Sequence, residues 1–248
     1  MSPYASRWVR RLARFAPLTL EEQRLLTDLT VSSRAFPAND GLVKSGDPAD
    51  KVIVVLDGLV CRYKLLPDGR RQILAYLFGG DMGDPRQLLL NFTDYSMCVL
   101  RPAEIAVLTP AAMQRLERHP NIVLAIARYI LMQQAIANEW LVNVGHRTAF
   151  ERVSHLLCEI FTRLEAVGLT QDHGFELALT QAELGDTLAL SAVHVNRTLM
   201  ELRRLKLVTF QNRRVLIHDY PGLQSAAGFD IQYLRGNEEP LGRASTAM

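Results

Sequence analysis

An α+β fold is predicted, in which an N-terminal antiparallel β-roll, jelly-roll-like, leads into a long helix and then into a helix pair and hairpin of the winged helix-turn-helix type. Three observations predict it. Between Ala35 and Leu108 short apolar runs alternate with glycine and proline turns, which is the pattern of a small β-roll or barrel. From Asn121 to Gly145 only Arg128 and Glu139 carry a charge, and such a stretch would extend ~37 Å as a helix. Beyond Thr180 come a capping pattern, a short turn and a second cap at Ser191, the plan of two short helices set at an angle.

Composition bounds the function classes. The 248 residues are 48% hydrophobic and 22% charged with a net charge of +2, as in a soluble globular chain. So small a net charge neither argues for nor excludes a nucleic-acid partner, because a basic patch can hide in a balanced total. Cys61, Cys98 and Cys158 lie far apart in sequence, without the spacing of a zinc site, an iron–sulfur site or a disulfide framework, and fit a reducing cytoplasm. The opening MSPYASRWVRRLARFAPL lacks the apolar run of a secretory signal. Its Arg7, Arg10, Arg11 and Arg14 are expected to form a solvated helix face.

In chain order, VIVVL (52–56), LVCRY (59–63), QILAYLF (72–78) and EIAVL (104–108) read as strands. Asp57-Gly58, Pro67-Asp68-Gly69, Gly79-Gly80-Asp81 and Arg101-Pro102 read as the turns between them. Thr109-Pro110 starts a short helix, with threonine as cap and proline where a missing N–H costs nothing. His119-Pro120 ends it and launches the long one. There Val123, Ile126, Ile130, Gln133, Ala137, Trp140 and Val144 recur in steps of three and four, a coiled-coil seam, while Leu124, Leu131 and Leu141 point elsewhere. A helix packed on its own roll with one face and on a twin subunit with another fits this; a core helix in a monomer is the alternative. Arg128, Gln133, Gln134 and Asn138 argue against a membrane span. An amphipathic helix follows over 148–166, with Val153, Leu156, Leu157, Ile160, Phe161 and Leu164 on its apolar side and Gly168 closing it. The expected organisation is a roll with flanking helices over 1–118, a dimerisation helix over 119–145, a winged helix-turn-helix over 146–234 and a flexible polar tail over 235–248.

The C-terminal helix pair carries the chemistry. Thr180-Gln181-Ala182-Glu183 is a capping box that starts a helix ending near Thr187, and Ser191 caps a second. In the second, Val195, Leu199, Leu202 and Leu205 are expected in the core, leaving Ala192, Val193, Asn196, Arg197 and Met200 outward. Arginine pairs with guanine O6 and N7, asparagine with adenine N6 and N7, and a small apolar side chain meets a thymine methyl. Ser191 and His194 suit phosphates, which fix register. From Ser191 to His218, Arg197, Arg203, Arg204, Lys206, Arg213 and Arg214 face one acid, Glu201. LVTFQNRRVLIHD then reads as a two-stranded wing turning at Gln211-Asn212-Arg213.

With the order roll, long helix, helix-turn-helix, wing on the page, the chain resembles the cyclic-AMP receptor protein/FNR superfamily of bacterial transcription regulators from about Ala16 to Leu223. The strongest matches are LTQAELGDTLALSAVHVNRTLMELRRLKLV, SGDPADKVIVVLDGLV and LFGGDMGD. The resemblance implies a homodimer on the long helix, recognition helices in successive major grooves of a two-fold symmetric site in double-stranded DNA, and RNA polymerase as a partner. It implies DNA-contacting roles for Thr180, Gln181, Ser191, Ala192, Val193, His194, Asn196 and Arg197.

Departures from the family pattern are specific. Val193 stands where many members carry a glutamate that would accept from cytosine, which predicts an altered base preference. Ala189 stands where a glycine is common. In the effector region Gly83-Asp84 and Tyr95-Ser96 occupy the places of a glycine-glutamate and an arginine-serine pair that hold a cyclic nucleotide. The phosphate arginine is absent there, so tight cyclic-AMP binding is not expected; Arg86 is the residue that could replace it by another route, giving a cyclic-nucleotide-responsive alternative with a non-standard pocket. No iron–sulfur cysteine cluster is present, no cofactor or metal is expected, and Cys61 and Cys98 read as core residues of strands. A cupin-like metal enzyme is the other alternative, but no histidine precedes His119, so its site cannot be built in the roll. The later histidines read mostly as surface or cap residues, and no catalytic motif argues for an enzyme.

Overall fold

The computed structural model describes residues 5–85 and 92–235. Two short helices, α1 (Ala5–Ala13) and α2 (Leu20–Asp28), precede five antiparallel strands: β1 (Arg34–Phe36), β2 (Gly41–Val43), β3 (Val52–Leu65), β4 (Arg71–Phe78) and β5 (Ser96–Leu108). Their order is β1-β5-β3-β4, with β2 also paired to β5. Helices α3 (Pro110–Leu116), α4 (Pro120–His146) and α5 (Ala149–Glu165) follow. The C-terminal part holds β6 (Thr170–Gln171), β7 (Gly174–Glu176), α6 (Gln181–Leu188), α7 (Ala192–Arg204), β8 (Val208–Gln211), β9 (Arg214–Ile217), α8 (Tyr220–Ala227) and a 3-10 turn at Ile231–Leu234. Among these helices none is long and apolar enough to cross a membrane. Most of the expected tail, from Gly236 onward, lies outside the described residues.

The roll has two faces because its strands alternate. Ile53, Val55, Val60, Met97, Val99, Ala103 and Ile105 fill its interior, while Val52, Val54, Leu56, Leu59, Cys61 and Leu100 face the helices outside. The inward parity of β3 switches from odd to even between Val55 and Val60, and this is what Asp57-Gly58 accomplishes. The pair is not the turn expected from its composition but an irregularity inside one 14-residue strand, a bulge that inserts a residue and flips the faces. Gly58 has φ +88, and a Cβ there would lie 2.2 Å from the Pro102 carbonyl oxygen; glycine is required. Arg101-Pro102 likewise sits within β5 rather than between strands, opposite the bulge.

The N-terminal arginines are a solvated face only in part: Arg10 is exposed and Arg7 and Arg14 are half-buried. Arg11 is fully buried and sets its Nε 3.1 Å from Asp81 Oδ1. Arg7 pairs with Asp57, and Arg10 donates to the Val167 carbonyl at 2.9 Å. Asp81 also accepts from Arg163 of α5 at 2.9 Å, and Arg163 pairs with Glu159 at 3.1 Å. Glu159 in turn accepts from Trp140 of α4 at 2.9 Å and from Tyr233 at 3.2 Å. Two buried guanidiniums thus meet two buried carboxylates, which offsets the cost of removing each charge from water. The network joins α1, the β4 turn, α4, α5 and the last described segment.

Helix α5 was expected to be amphipathic. It is instead buried from Val153 to Leu164 without interruption, since the roll covers one side and α7 and α8 cover others. His155 within it is fully buried, an exception among histidines expected mostly at the surface or in caps. Helix α4 buries Ile122, Ala125, Ile126, Tyr129, Met132, Ile136, Trp140 and Asn143 against the chain's own core. Ile126 and Trp140 therefore do not belong to an outward seam. The exposed apolar stripe runs through Val123, Leu124, Leu131 and Leu141, displaced around the helix from the expected seam.

Candidate nucleic-acid interface and effector cavity

Two caps and one tight approach build the helix pair. The Thr180 hydroxyl accepts from Glu183 N at 3.1 Å, and Glu183 accepts from Thr180 N at 2.7 Å. Helix α6 closes on Ala189 in the left-handed conformation, φ 53 and ψ 44, a position that favours glycine and here leaves Ala with mild strain. Gly185 lets the turn fold back, since a Cβ there would sit 2.4 Å from the Leu190 carbonyl oxygen. Ser191 caps α7 by accepting from His194 N at 3.3 Å, and its hydroxyl lies 3.2 Å from His194 Nδ1.

The face of α7 left outward is the one anticipated. Ser191, Ala192, Val193, His194, Asn196, Arg197 and Met200 are exposed, Val193 at 70% and Met200 at 63%. Val195, Thr198 and Leu202 are buried, and Leu199 is half-buried. Leu205 departs from expectation: it is 45% exposed, because it lies past the last helical turn. Thr180 is exposed and Gln181 half-buried at the start of α6. In the wing, Asn212 and Arg213 take φ 52 and 62, the two left-handed residues of a type I′ hairpin turn. The wing extends β6 and β7 into a four-stranded sheet of order β6-β7-β9-β8, an addition that the sequence pattern did not suggest. Arg197, Arg203, Arg204, Lys206, Arg213 and Arg214 are all exposed. Arg203 ties α7 to the wing by donating to the Phe210 carbonyl at 3.0 Å. An outward helix face of small or apolar side chains with Asn196 and Arg197, and further exposed cations at the end of α7 and in the wing, suits a polyanionic groove.

The helix pair is docked on the roll. Arg71 of β4 pairs with Asp186 at 2.8 Å, and Arg101 of β5 with Glu183 at 2.8 Å. Gln72 donates to the Thr187 carbonyl at 3.1 Å, and Tyr76 shares a hydrogen bond with Thr187.

Between the roll and α4 lies a cavity of about 50 Å³, lined by Gly83, Asp84, Tyr95, Arg62, Tyr129 and Gln133 among others. Three expected effector residues, Gly83, Asp84 and Tyr95, meet there. Ser96 does not line it; its hydroxyl accepts from Ser45 N at 3.1 Å on the outer edge. Arg86 lies outside the described residues. The cation that sequence reasoning missed is Arg62, which stands 4.9 Å from the Tyr95 ring centroid, with its Nε buried and without a hydrogen-bond partner among the described residues. Its inward position follows from the parity switch at Gly58, the signal that could have found it. Burial pushes the Tyr95 hydroxyl pKa up, with the Arg62 guanidinium acting against it. As it stands the cavity is far below the roughly 300–1,000 Å³ of ordinary ligand pockets. Among the described residues no group of His, Cys, Asp and Glu is placed to hold a metal ion.

A cyclic nucleotide-binding type of roll joined to a winged helix-turn-helix defines a class, that of modular transcription regulators. Comparison with known proteins agrees: residues 33–119 match the cyclic nucleotide-binding domain and residues 151–226 the Crp-like helix-turn-helix domain. The chain is 28% identical over 207 residues to the transcriptional activator protein FnrL of Cereibacter sphaeroides, covering 79% of this chain and 81% of that one. It is also 28% identical to the nitrogen fixation regulation protein FixK of Azorhizobium caulinodans, covering 76% of each. Among solved structures, FixK2 from Bradyrhizobium japonicum superposes with a TM-score of 0.70 at 22% identity, covering 79% of this chain and 96% of that one. The chain belongs to the CRP/FNR superfamily of transcription regulators.

Proposed function

We propose that this regulator binds a two-fold symmetric operator as a homodimer and reads it with α7. The observation that carries the reading is the outward face of α7, where Asn196 and Arg197 are exposed beside the small or apolar Ala192 and Val193. On this reading Asn196 and Arg197 meet base edges, Val193 meets a thymine methyl, and His194, Thr180 and Gln181 serve the phosphates. Ser191 has a smaller part, because its hydroxyl already caps α7. The exposed stripe Leu124, Leu131 and Leu141 supplies the dimer contact, which explains a helix apolar on two faces. RNA polymerase is a partner and the cytoplasm the place of action, and the protein acts without catalysis. The expected organisation into a roll (1–118), a dimer helix (119–145) and a DNA-binding part (146–234) stands as part of this reading. Selection of bound sequences from random DNA tests it: a palindromic motif with half-sites about one helical turn apart is expected, and an asymmetric motif or none overturns it.

For the effector, the small cavity and the missing arginine at Tyr95 support a regulator that does not respond to cyclic AMP. Arg62 favours a second reading, an anionic effector held by that guanidinium, with a cyclic nucleotide in a non-standard pocket as one case. Calorimetry with cyclic AMP and cyclic GMP tests the cyclic-nucleotide case; micromolar binding that Arg62→Ala abolishes would establish it.

A further inference from the structure

Cys61 of β3 and Cys98 of β5 stand directly opposite each other in the antiparallel ladder, with their sulfurs 3.5 Å apart. Opposed residues of such a ladder hold their Cα atoms ~4.5–5.5 Å apart, inside the ~4.4–6.8 Å range that disulfides span. Side-chain rotation alone therefore joins the two sulfurs. Both lie on the outer face of the roll, the one on which the helix pair docks. Cys61 is fully buried, whereas Cys98 is partly exposed.

We propose that Cys61 and Cys98 form a dithiol modification site, oxidised by a peroxide to an intramolecular cross-strand disulfide. Cys98 is the sulfur an oxidant reaches first, and it is also the more acidic. The hydrogen bond donated by the Cys61 thiol and the Arg71 guanidinium hold its pKa down to about 7, against burial and the Glu183 carboxylate. The thiolate is the reactive form of cysteine. Cys61 is pushed the other way by the same hydrogen bond and by burial. In the first step the Cys98 thiolate attacks one peroxide oxygen: an S–O bond forms, the O–O bond breaks, and the leaving alkoxide or hydroxide takes a proton from water. The product is the Cys98 sulfenic acid, which no longer carries the negative charge that kept the Cys61 proton in place. In the second step the Cys61 sulfur attacks the Cys98 sulfur, the S–S bond forms, the S–O bond breaks, and hydroxide leaves with the Cys61 proton as water. Two thiols are oxidised by two electrons and one peroxide is reduced. Cys158 does not compete, because burial within α5 pushes its thiol pKa up.

The site adjoins the docked helix pair. Arg71, which faces the Cys98 sulfur, is the residue that holds Asp186 of α6, and Glu183, which also faces it, is held by Arg101. Oxidation thus removes a charge beside both ion pairs that seat α6 on the roll.

The test uses the full reduced chain, treated with a few equivalents of hydrogen peroxide at neutral pH, quenched with catalase and unfolded in N-ethylmaleimide. The expected result is a monomeric chain lighter by two hydrogens before labelling, one labelled thiol at Cys158, and a peptide pair linking Cys61 to Cys98 that dithiothreitol separates. Cys98→Ser should leave both remaining thiols reduced, Cys61→Ser should leave a dimedone-reactive sulfenic acid at Cys98, and Cys158→Ser should still form the link. Three labelled thiols in the wild type, a link between two chains, or sulfinic acid in place of the disulfide overturns the proposal. The wild-type masses decide the matter even where a variant folds poorly. The chemistry is independent of whether α7 reads DNA.

Discussion

At the scale of single residues, position on a helix decides whether a polar group faces outward or into the fold. Arg197 is exposed on the outward face of α7, and Arg197→Ala should cost about 1–3 kcal/mol per half-site on the selected operator with a much smaller loss on random DNA. Fluorescence anisotropy at fixed salt measures both, and equal losses would exclude a base-reading role. His155 is the opposite case. It is fully buried, accepts from Asn143 Nδ2 through Nδ1 at 3.4 Å, and has its pKa pushed down to about 3 by burial and by Arg147. The folded state thus refuses a proton that the unfolded chain takes up below its ordinary value of 6.5. Stability is full above that value and falls as the pH drops towards 3, by about 2–3 kcal/mol at pH 4.5. Urea midpoints should fall less steeply with acid in His155→Gln than in the wild type, and parallel slopes would sink the idea. The outward position of Arg197 was legible in the sequence because its neighbours on α7 show the helical period. His155 was not, because an amphipathic pattern gives no sign that a helix will be covered on its polar side as well.

At the scale of elements, capping signals were the most legible. Thr109, Thr180 and Ser191 all cap the helices expected after them, since a cap is a local hydrogen bond that needs no tertiary partner. Strand ends were less so. Asp57-Gly58 has the composition of a turn and serves as a bulge, a distinction made only by Pro102 of the neighbouring strand. The seam of α4 was misplaced for a similar reason: steps of three and four fit several stripes on an apolar helix, and only the roll decides which one is covered. The stripe left outside contains Leu131 at 68% and Leu141 at 70% exposure. Leu131→Glu places a charge at the proposed dimer contact while leaving the buried face of α4 untouched. Sedimentation should show monomers at concentrations where the wild type is dimeric, with unchanged helix content; a variant that stays dimeric would move the interface elsewhere.

At the scale of the whole molecule, the buried network around Asp81 binds parts that are remote in sequence. Asp81→Ala leaves Arg11 without its carboxylate and Arg163 with Glu159 as its remaining carboxylate, and should destabilise the chain by about 3–5 kcal/mol. Thermal melting measures this, and a loss under ~1 kcal/mol would show that the charges are better hydrated than their burial implies. None of this network was legible beforehand, because Arg11 reads as one member of a basic helix face and its partner lies seventy residues on. The fold class was legible because each part has its own local signature; the joints between the parts have none.

The burial of α5 on every side has a consequence for transplanting pieces of this protein. A fragment cut between α4 and α5 would carry the recognition helix and wing intact, yet it would bare Arg163 and Glu159 without Asp81 or Trp140. It would also strip α6 of Arg71 and Arg101. Grafting the reading head onto a foreign scaffold therefore requires the host to supply a matching socket, and natural exchange of such heads between regulators would favour pairs in which the β4 face and α6 travel together.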